Sequence, residues 1–244
     1  MFVIRSFPRS GTHMLKSALD SHSKLNCQGE LFHPTPHDFS MRRLGAVGHL
    51  ESFKLGPLDG FVVHGFVPTE GQPYIGIYED LWQVLRVFHV PMIIVQRQDQ
   101  IRRAASAKIA QSRRTWRRTP KCPTTEETCT LDVEEFLRAL NNVYSCDRLS
   151  KQWYPWAHMV QYETLTREWP VEVAKIQQYL GVGVERLVPR IEKQDPRPIA
   201  DIITNYPRLR EQLLKTQRPD IIELVRVADE GVDTAVPTKL KELK

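Results

Sequence analysis

An apolar strand, Phe2-Val3-Ile4-Arg5-Ser6, runs through Phe7-Pro8-Arg9-Ser10-Gly11 straight into the helix-like stretch Thr12-His13-Met14-Leu15-Lys16-Ser17-Ala18-Leu19. A strand that becomes a helix over so few residues packs that helix back on its own sheet, which begins a layered α/β domain. The turn is also an anion cradle, because amides at a helix start lack intrahelical acceptors and sit at the positive end of the helix dipole. Gly11 lets the backbone approach a phosphate, Thr12 adds a hydroxyl, and Arg9 brings a permanent charge. A nucleoside triphosphatase loop has a glycine, four residues, then Gly-Lys-Ser/Thr. Here Ser6 stands at the first glycine position, His13 follows Gly11-Thr12, and the cation precedes the glycine. ATP hydrolysis is therefore not the natural reading.

Four apolar runs read as buried strands: 2–7, 60–66, 91–96 and 157–162. Helical stripes alternate with them: Met14, Leu15, Ala18 and Leu19; Leu81, Trp82, Leu85 and Phe88; Val133, Phe136, Leu137, Leu140 and Val143. Pro170 is placed to start a further helix, and Gly181 to end it. Strands alternating with helices predict an α/β domain with a central parallel sheet flanked by helices and ligands at the carboxyl ends of the strands. One domain is expected over 1–230, with loop-rich excursions at 31–59 and 117–130, and a tail at 231–244.

The chain has 244 residues, 41% of them hydrophobic and 26% charged, which is the composition of a globular domain with a real core. No apolar run is long enough to span a bilayer, which takes about 20 residues. With Met1 as the native start there is no room for a signal peptide, and the expected location is cytoplasmic. Cys27, Cys122, Cys129 and Cys146 lack metal-ligand spacing, so no metal is expected; free thiols are expected, with a Cys122–Cys129 loop disulfide as the alternative. Between Arg102 and Lys121 lie eight basic residues and no acid, a stretch suited to an anionic partner or else to a solvated helix face.

The segment Pro8-Arg9-Ser10-Gly11-Thr12, followed by Leu15–His22 and then Cys27-Gln28-Gly29-Glu30, resembles the 5'-phosphosulfate loop of sulfotransferases that use 3'-phosphoadenosine 5'-phosphosulfate (PAPS). In that stretch it is similar to the tyrosylprotein sulfotransferases and to bacterial carbohydrate sulfotransferases. Arg97, ending a strand, and Ser106, nine residues later, resemble the arginine and serine with which these enzymes hold the cofactor's 3'-phosphate. Tyr162-Glu163-Thr164-Leu165, Tyr179-Leu180-Gly181 and Asn205-Tyr206-Pro207 resemble further elements of that fold.

The resemblance implies a P-loop-like sulfotransferase fold and transfer of a sulfuryl group from PAPS to a hydroxyl acceptor. It places Arg9, Ser10, Gly11, Thr12, His13, Arg97 and Ser106 on the cofactor, and His13 departs from the Thr or Ser usual at its position. Arg9 is expected to stabilise the leaving phosphate. Two residues compete as general base: Glu30 is the first candidate by its distance from Arg9, and His64, ending the strand Phe61-Val62-Val63-His64, is the second. The expected acceptor is a carbohydrate, a tyrosyl group or a small molecule, an anionic one suiting the basic stretch, with no specific nucleic acid expected. The rival readings are a nucleotide kinase, a nucleic-acid-binding protein using the basic stretch around Trp116, and an inactive sulfotransferase-like binding protein.

Overall fold

A computed structural model describes residues 1–32, 39–64, 75–113, 127–188 and 197–231, with only the backbone described at 39–44, 46 and 75–79. Five strands, β1 (Phe2–Ser6), β2 (Asn26–Glu30), β3 (Asp59–His64), β4 (Met92–Gln96) and β5 (His158–Gln161), form one sheet in the order β2-β3-β1-β4-β5. Every pairing is parallel. The connections carry α1 (Thr12–Leu19), α2 (Phe39–Ser52), α3 (Ile75–Val87), α4 (Gln100–Ser112) and α5 (Val133–Trp153). After β5 come α6 (Tyr162–Arg167), α7 (Trp169–Tyr179), α8 (Ile199–Ile202), α9 (Tyr206–Lys215) and α10 (Pro219–Glu230).

The three central strands are almost wholly apolar because helices cover both faces of the sheet. Phe2, Ile4, Val62, Ile93 and Val95 point to a core shared with α1, α6 and α7. Val3, Phe61, Val63, Met92 and Ile94 point the other way, onto Leu81, Trp82 and Leu85 of α3 and onto Cys146 and Tyr154. A third cluster joins α4 and the first half of α5 to α8, α9 and α10. Gly60 is required by packing: a Cβ there would stand 2.2 Å from the Phe2 ring.

Several expectations meet the fold with differences. β2, Asn-Cys-Gln-Gly-Glu, is an edge strand whose burial rests on Cys27, and its polar sequence hid it from a reading by hydrophobic runs. The excursion at 31–59 contains α2 and the start of β3. Phe88 falls off the α3 stripe and is 72% exposed: the helix ends at Val87, and His89 turns with a φ of 47°. Pro170 begins α7 as expected, and Gly181 follows its end with a φ of 70°. Residues 117–126 of the second excursion, Cys122 with its pairing, and the tail from 232 lie outside the described residues. Among those described, no helix is long and apolar enough to cross a membrane, and no cluster of His, Cys, Asp and Glu is arranged to hold a metal.

The chain leaves β1 toward β2 on one side and leaves β4 toward β5 on the other. The sheet therefore changes direction between β1 and β4, and the crevice beyond their carboxyl ends is where open α/β sheets bind ligands. The residues that follow those two strands are Phe7–Gly11 and Arg97–Asp99.

Candidate active site

The loop after β1 is held in a conformation that few sequences tolerate. Arg9 has a φ of 70°, a left-handed backbone uncommon for a residue with a Cβ. What holds it there comes from the next strand: Arg97 Nη1 donates to the Arg9 carbonyl at 2.8 Å. Gly11, at the N-terminus of α1 with a φ of 84°, is fixed twice over, since a Cβ on it would lie 2.3 Å from the Tyr162 ring. Ser10 and Thr12 are buried on either side of it.

The two motifs converge. Arg9 Nε donates to Ser106 Oγ at 2.8 Å, so the arginine of the β1 loop touches the serine of α4. Burial, and then the neighbouring Arg97 charge, push the Arg9 guanidinium down to about 10. Arg97 stacks its guanidinium over the Tyr162 ring, 4.9 Å from the centroid. Its Nε is buried and meets no acceptor among the described residues. Arg9 and Arg97 thus gather at one crevice, where each positive charge disfavours the other and negative charge would be favoured.

Glu163 ties β5 to this site. Its buried carboxylate accepts the amides of Gln98, at 3.0 Å, and Asp99, at 3.1 Å. Asp99 caps α4 through the Arg102 amide and pairs with the Arg102 side chain at 3.2 Å. Asp99 therefore serves the helix rather than neutralising Arg97. Tyr162-Glu163, which by resemblance speaks more for the fold than for the chemistry, braces both loops with its side chains.

On the other side of β1 the two candidate bases meet. His64 Nε2 lies 3.1 Å from Glu30 Oε1, and His13 Nε2 lies 3.4 Å from the same oxygen. Hydrogen bonds from His13 and His64 outweigh burial and hold the Glu30 carboxyl well below the usual carboxylate range. His64 Nδ1 lies 3.1 Å from Ser6 Oγ, which bonds Thr12 Oγ1. His13, which the resemblance puts on the cofactor, has its Nε2 toward Glu30. Ser6, which the sequence marks only as standing at a glycine position, joins His64 to Thr12.

The basic stretch is quieter than its composition suggests. Arg102 meets Asp99, Lys108 meets Glu135, Arg113 meets Glu127, and the buried Arg103 donates to Gln100. Burial pushes Arg103 down to about 10. Arg114, Arg117, Arg118 and Lys121, with Trp116, lie outside the described residues.

No known family profile matches the chain, and no curated protein matches it in sequence. Solved structures do match. A sulfotransferase from Alicyclobacillus acidocaldarius superposes with a TM-score of 0.52 at 15% identity, covering 93% of this chain and 94% of that one. Mouse sulfotransferase SULT7A1, complexed with PAP, superposes with a TM-score of 0.53 at 14% identity, covering 93% of this chain and 88% of that one.

Proposed function

With the fold of the sulfotransferases as the premise, we propose that this protein moves the sulfuryl group of PAPS to a hydroxyl acceptor. The observation that carries the reading is the meeting of Arg9, Arg97 and Ser106 from two strand ends at the point where the sheet changes direction. One anion alone would not call for two loops. A nucleotide phosphorylated at both its 5' and 3' positions calls for both.

The residues present fit such a nucleotide. The Gly11 turn and the buried Thr12 offer amides and a hydroxyl to the 5'-phosphate. Arg97, whose buried Nε has no acceptor among the described residues, and Ser106 would take the 3'-phosphate. Arg9 keeps its proton at neutral pH even when pushed down to about 10, so it acts by charge and hydrogen bonding. In the transfer, the acceptor oxygen forms a bond to sulfur, the bridging S–O bond breaks, and its electron pair passes to the 5'-phosphate. The acceptor's proton goes to the enzyme.

Glu30 and His64, rivals in the sequence, are in contact and act as one couple. A carboxylate held so far below its usual range has little affinity for a proton at neutral pH. The proton therefore goes to His64, and Glu30 stabilises the imidazolium that results. No metal enters this scheme.

Calorimetry with adenosine 3',5'-bisphosphate against ADP tests the reading. The wild-type protein is expected to prefer the bisphosphate by about a hundredfold, the worth of charge-assisted bonds to one phosphate, and Arg97→Ala to lose that preference. Equal affinity for both nucleotides would remove the 3'-phosphate assignment and the proposed donor with it.

A further inference from the structure

Five polar groups run from the phosphate loop to the base and back: Thr12, Ser6, His64, Glu30 and His13. Ser6 and Thr12 are buried, so their hydroxyls must satisfy each other and His64. The heavy atoms admit two directions of hydrogen bonding along this chain. In the first, Thr12 donates to Ser6, Ser6 donates to His64 Nδ1, and the imidazole carries its hydrogen on Nε2, 3.1 Å from Glu30. In the second, Thr12 turns its hydrogen outward, Ser6 donates to Thr12, and the imidazole carries its hydrogen on Nδ1. There it faces Ser6 Oγ at 3.1 Å and the Ser6 carbonyl at 3.4 Å. The proton count is the same in both: one on each hydroxyl and one on the ring.

We propose that the Ser6 hydroxyl is a relay that reports a phosphate at Thr12 to His64, switching the imidazole from the Nε2–H to the Nδ1–H tautomer. An anion in the cradle takes the Thr12 hydrogen; the first direction would then leave the buried Ser6 and Thr12 oxygens facing each other with no hydrogen between them, whereas the second keeps them bonded and releases His64 Nε2, at the partly exposed end of the chain, from Glu30. The ring exchanges its hydrogen through solvent, to which the His64 side chain is 22% exposed.

The switch gives His64 Nε2 an electron pair only when the donor is in place, ready for the acceptor's proton. Glu30 keeps its hydrogen bond from His13 meanwhile, and takes Nε2–H again once the ring is protonated. Ser6 is thus a positioning residue acting through His64. This inference rests on the sulfuryl-transfer reading.

The test is nitrogen NMR of the full chain labelled with 15N-histidine, titrated with adenosine 3',5'-bisphosphate, the His64 signals being those lost in His64→Gln. Free protein is expected to show His64 as Nε2–H, and saturated protein as Nδ1–H. Ser6→Ala is expected to bind the nucleotide within about threefold of wild type, one neutral hydrogen bond being at stake, with His64 signals that no longer respond; Ser6→Thr restores the response. Bisphosphate binding with unchanged wild-type His64 signals, or a full response in Ser6→Ala, would overturn the relay alone. Absence of bisphosphate binding would overturn the relay together with the proposed function. Should Ser6→Ala fail to fold, the wild-type titration decides.

Discussion

The two sides of the β1 loop are built differently. Toward β4 and β5, charged side chains are locked to backbone: Arg97 on the Arg9 carbonyl, Glu163 on the Gln98 and Asp99 amides, and the Tyr162 ring against Gly11. Toward β3 and β2, the bonds among the described residues run chiefly from side chain to side chain: Ser6, Thr12, His64, Glu30 and His13. Backbone anchors fix a position, which is what gripping a phosphate needs. Side-chain chains can reverse their hydrogens without moving the backbone, which is what handling a proton needs.

The largest expected effect separates the two jobs. Arg9→Ala should lower release of adenosine 3',5'-bisphosphate from PAPS by a hundredfold to a thousandfold, on the order seen when one preorganised donor to a developing charge is removed. Glu30→Gln should also lower turnover while leaving the bisphosphate dissociation constant unchanged in calorimetry. If Glu30→Gln weakened nucleotide binding as much as Arg97→Ala does, the division between grip and proton handling would be lost.

Stability should respond most on the anchored side. Gly11→Ala sets a Cβ 2.3 Å from the Tyr162 ring at a φ of 84°, and the strain with overpacking is expected to cost about 3 kcal/mol in denaturant unfolding. Glu163→Gln replaces one of two acceptor oxygens by a donor facing backbone amides, and is expected to cost about 2 kcal/mol. Measured losses below about 0.5 kcal/mol for either variant, the range of ordinary surface changes, would show that these anchors are not what fixes the loop.

The same contrast explains what could be read from the sequence. The placement of the anchored side was legible because its signals are local: a glycine in a strand-to-helix turn, an arginine at a strand end, a serine on the following helix. The parallel sheet was legible from its buried apolar strands. β2 was not, since an edge strand with a polar sequence shows no apolar run. Nor was the contact between Glu30 and His64, which depends on β2 lying beside β3 and so on strand order rather than on any motif. The contact of His13 with Glu30, a partner far along the chain, has no signature in the motif that contains His13. Asn205 was singled out by resemblance; it holds Leu131 by two backbone bonds at 3.1 and 2.8 Å, a role only the folded chain reveals.

The smallest expected effect sharpens the comparison through pH. Glu30 has an ordinary value of 4.5, lowered in the fold by hydrogen bonds from His13 and His64. A carboxyl whose folded value is depressed binds fewer protons folded than unfolded, so its contribution to stability is complete above 4.5 and is lost as the pH falls below that value. Wild type should therefore exceed Glu30→Gln by about 1 kcal/mol at pH 6, the lower end for hydrogen bonds to a charged group that is partly exposed, and the gap should narrow steadily as the pH falls below 4.5 toward the lowered folded value. Thermal unfolding of both proteins across that range is the measurement. A gap that stays constant with pH would mean that the two imidazoles pack against Glu30 without holding its charge, and the soft side of the site would then be a structural contact rather than a place where a proton is managed.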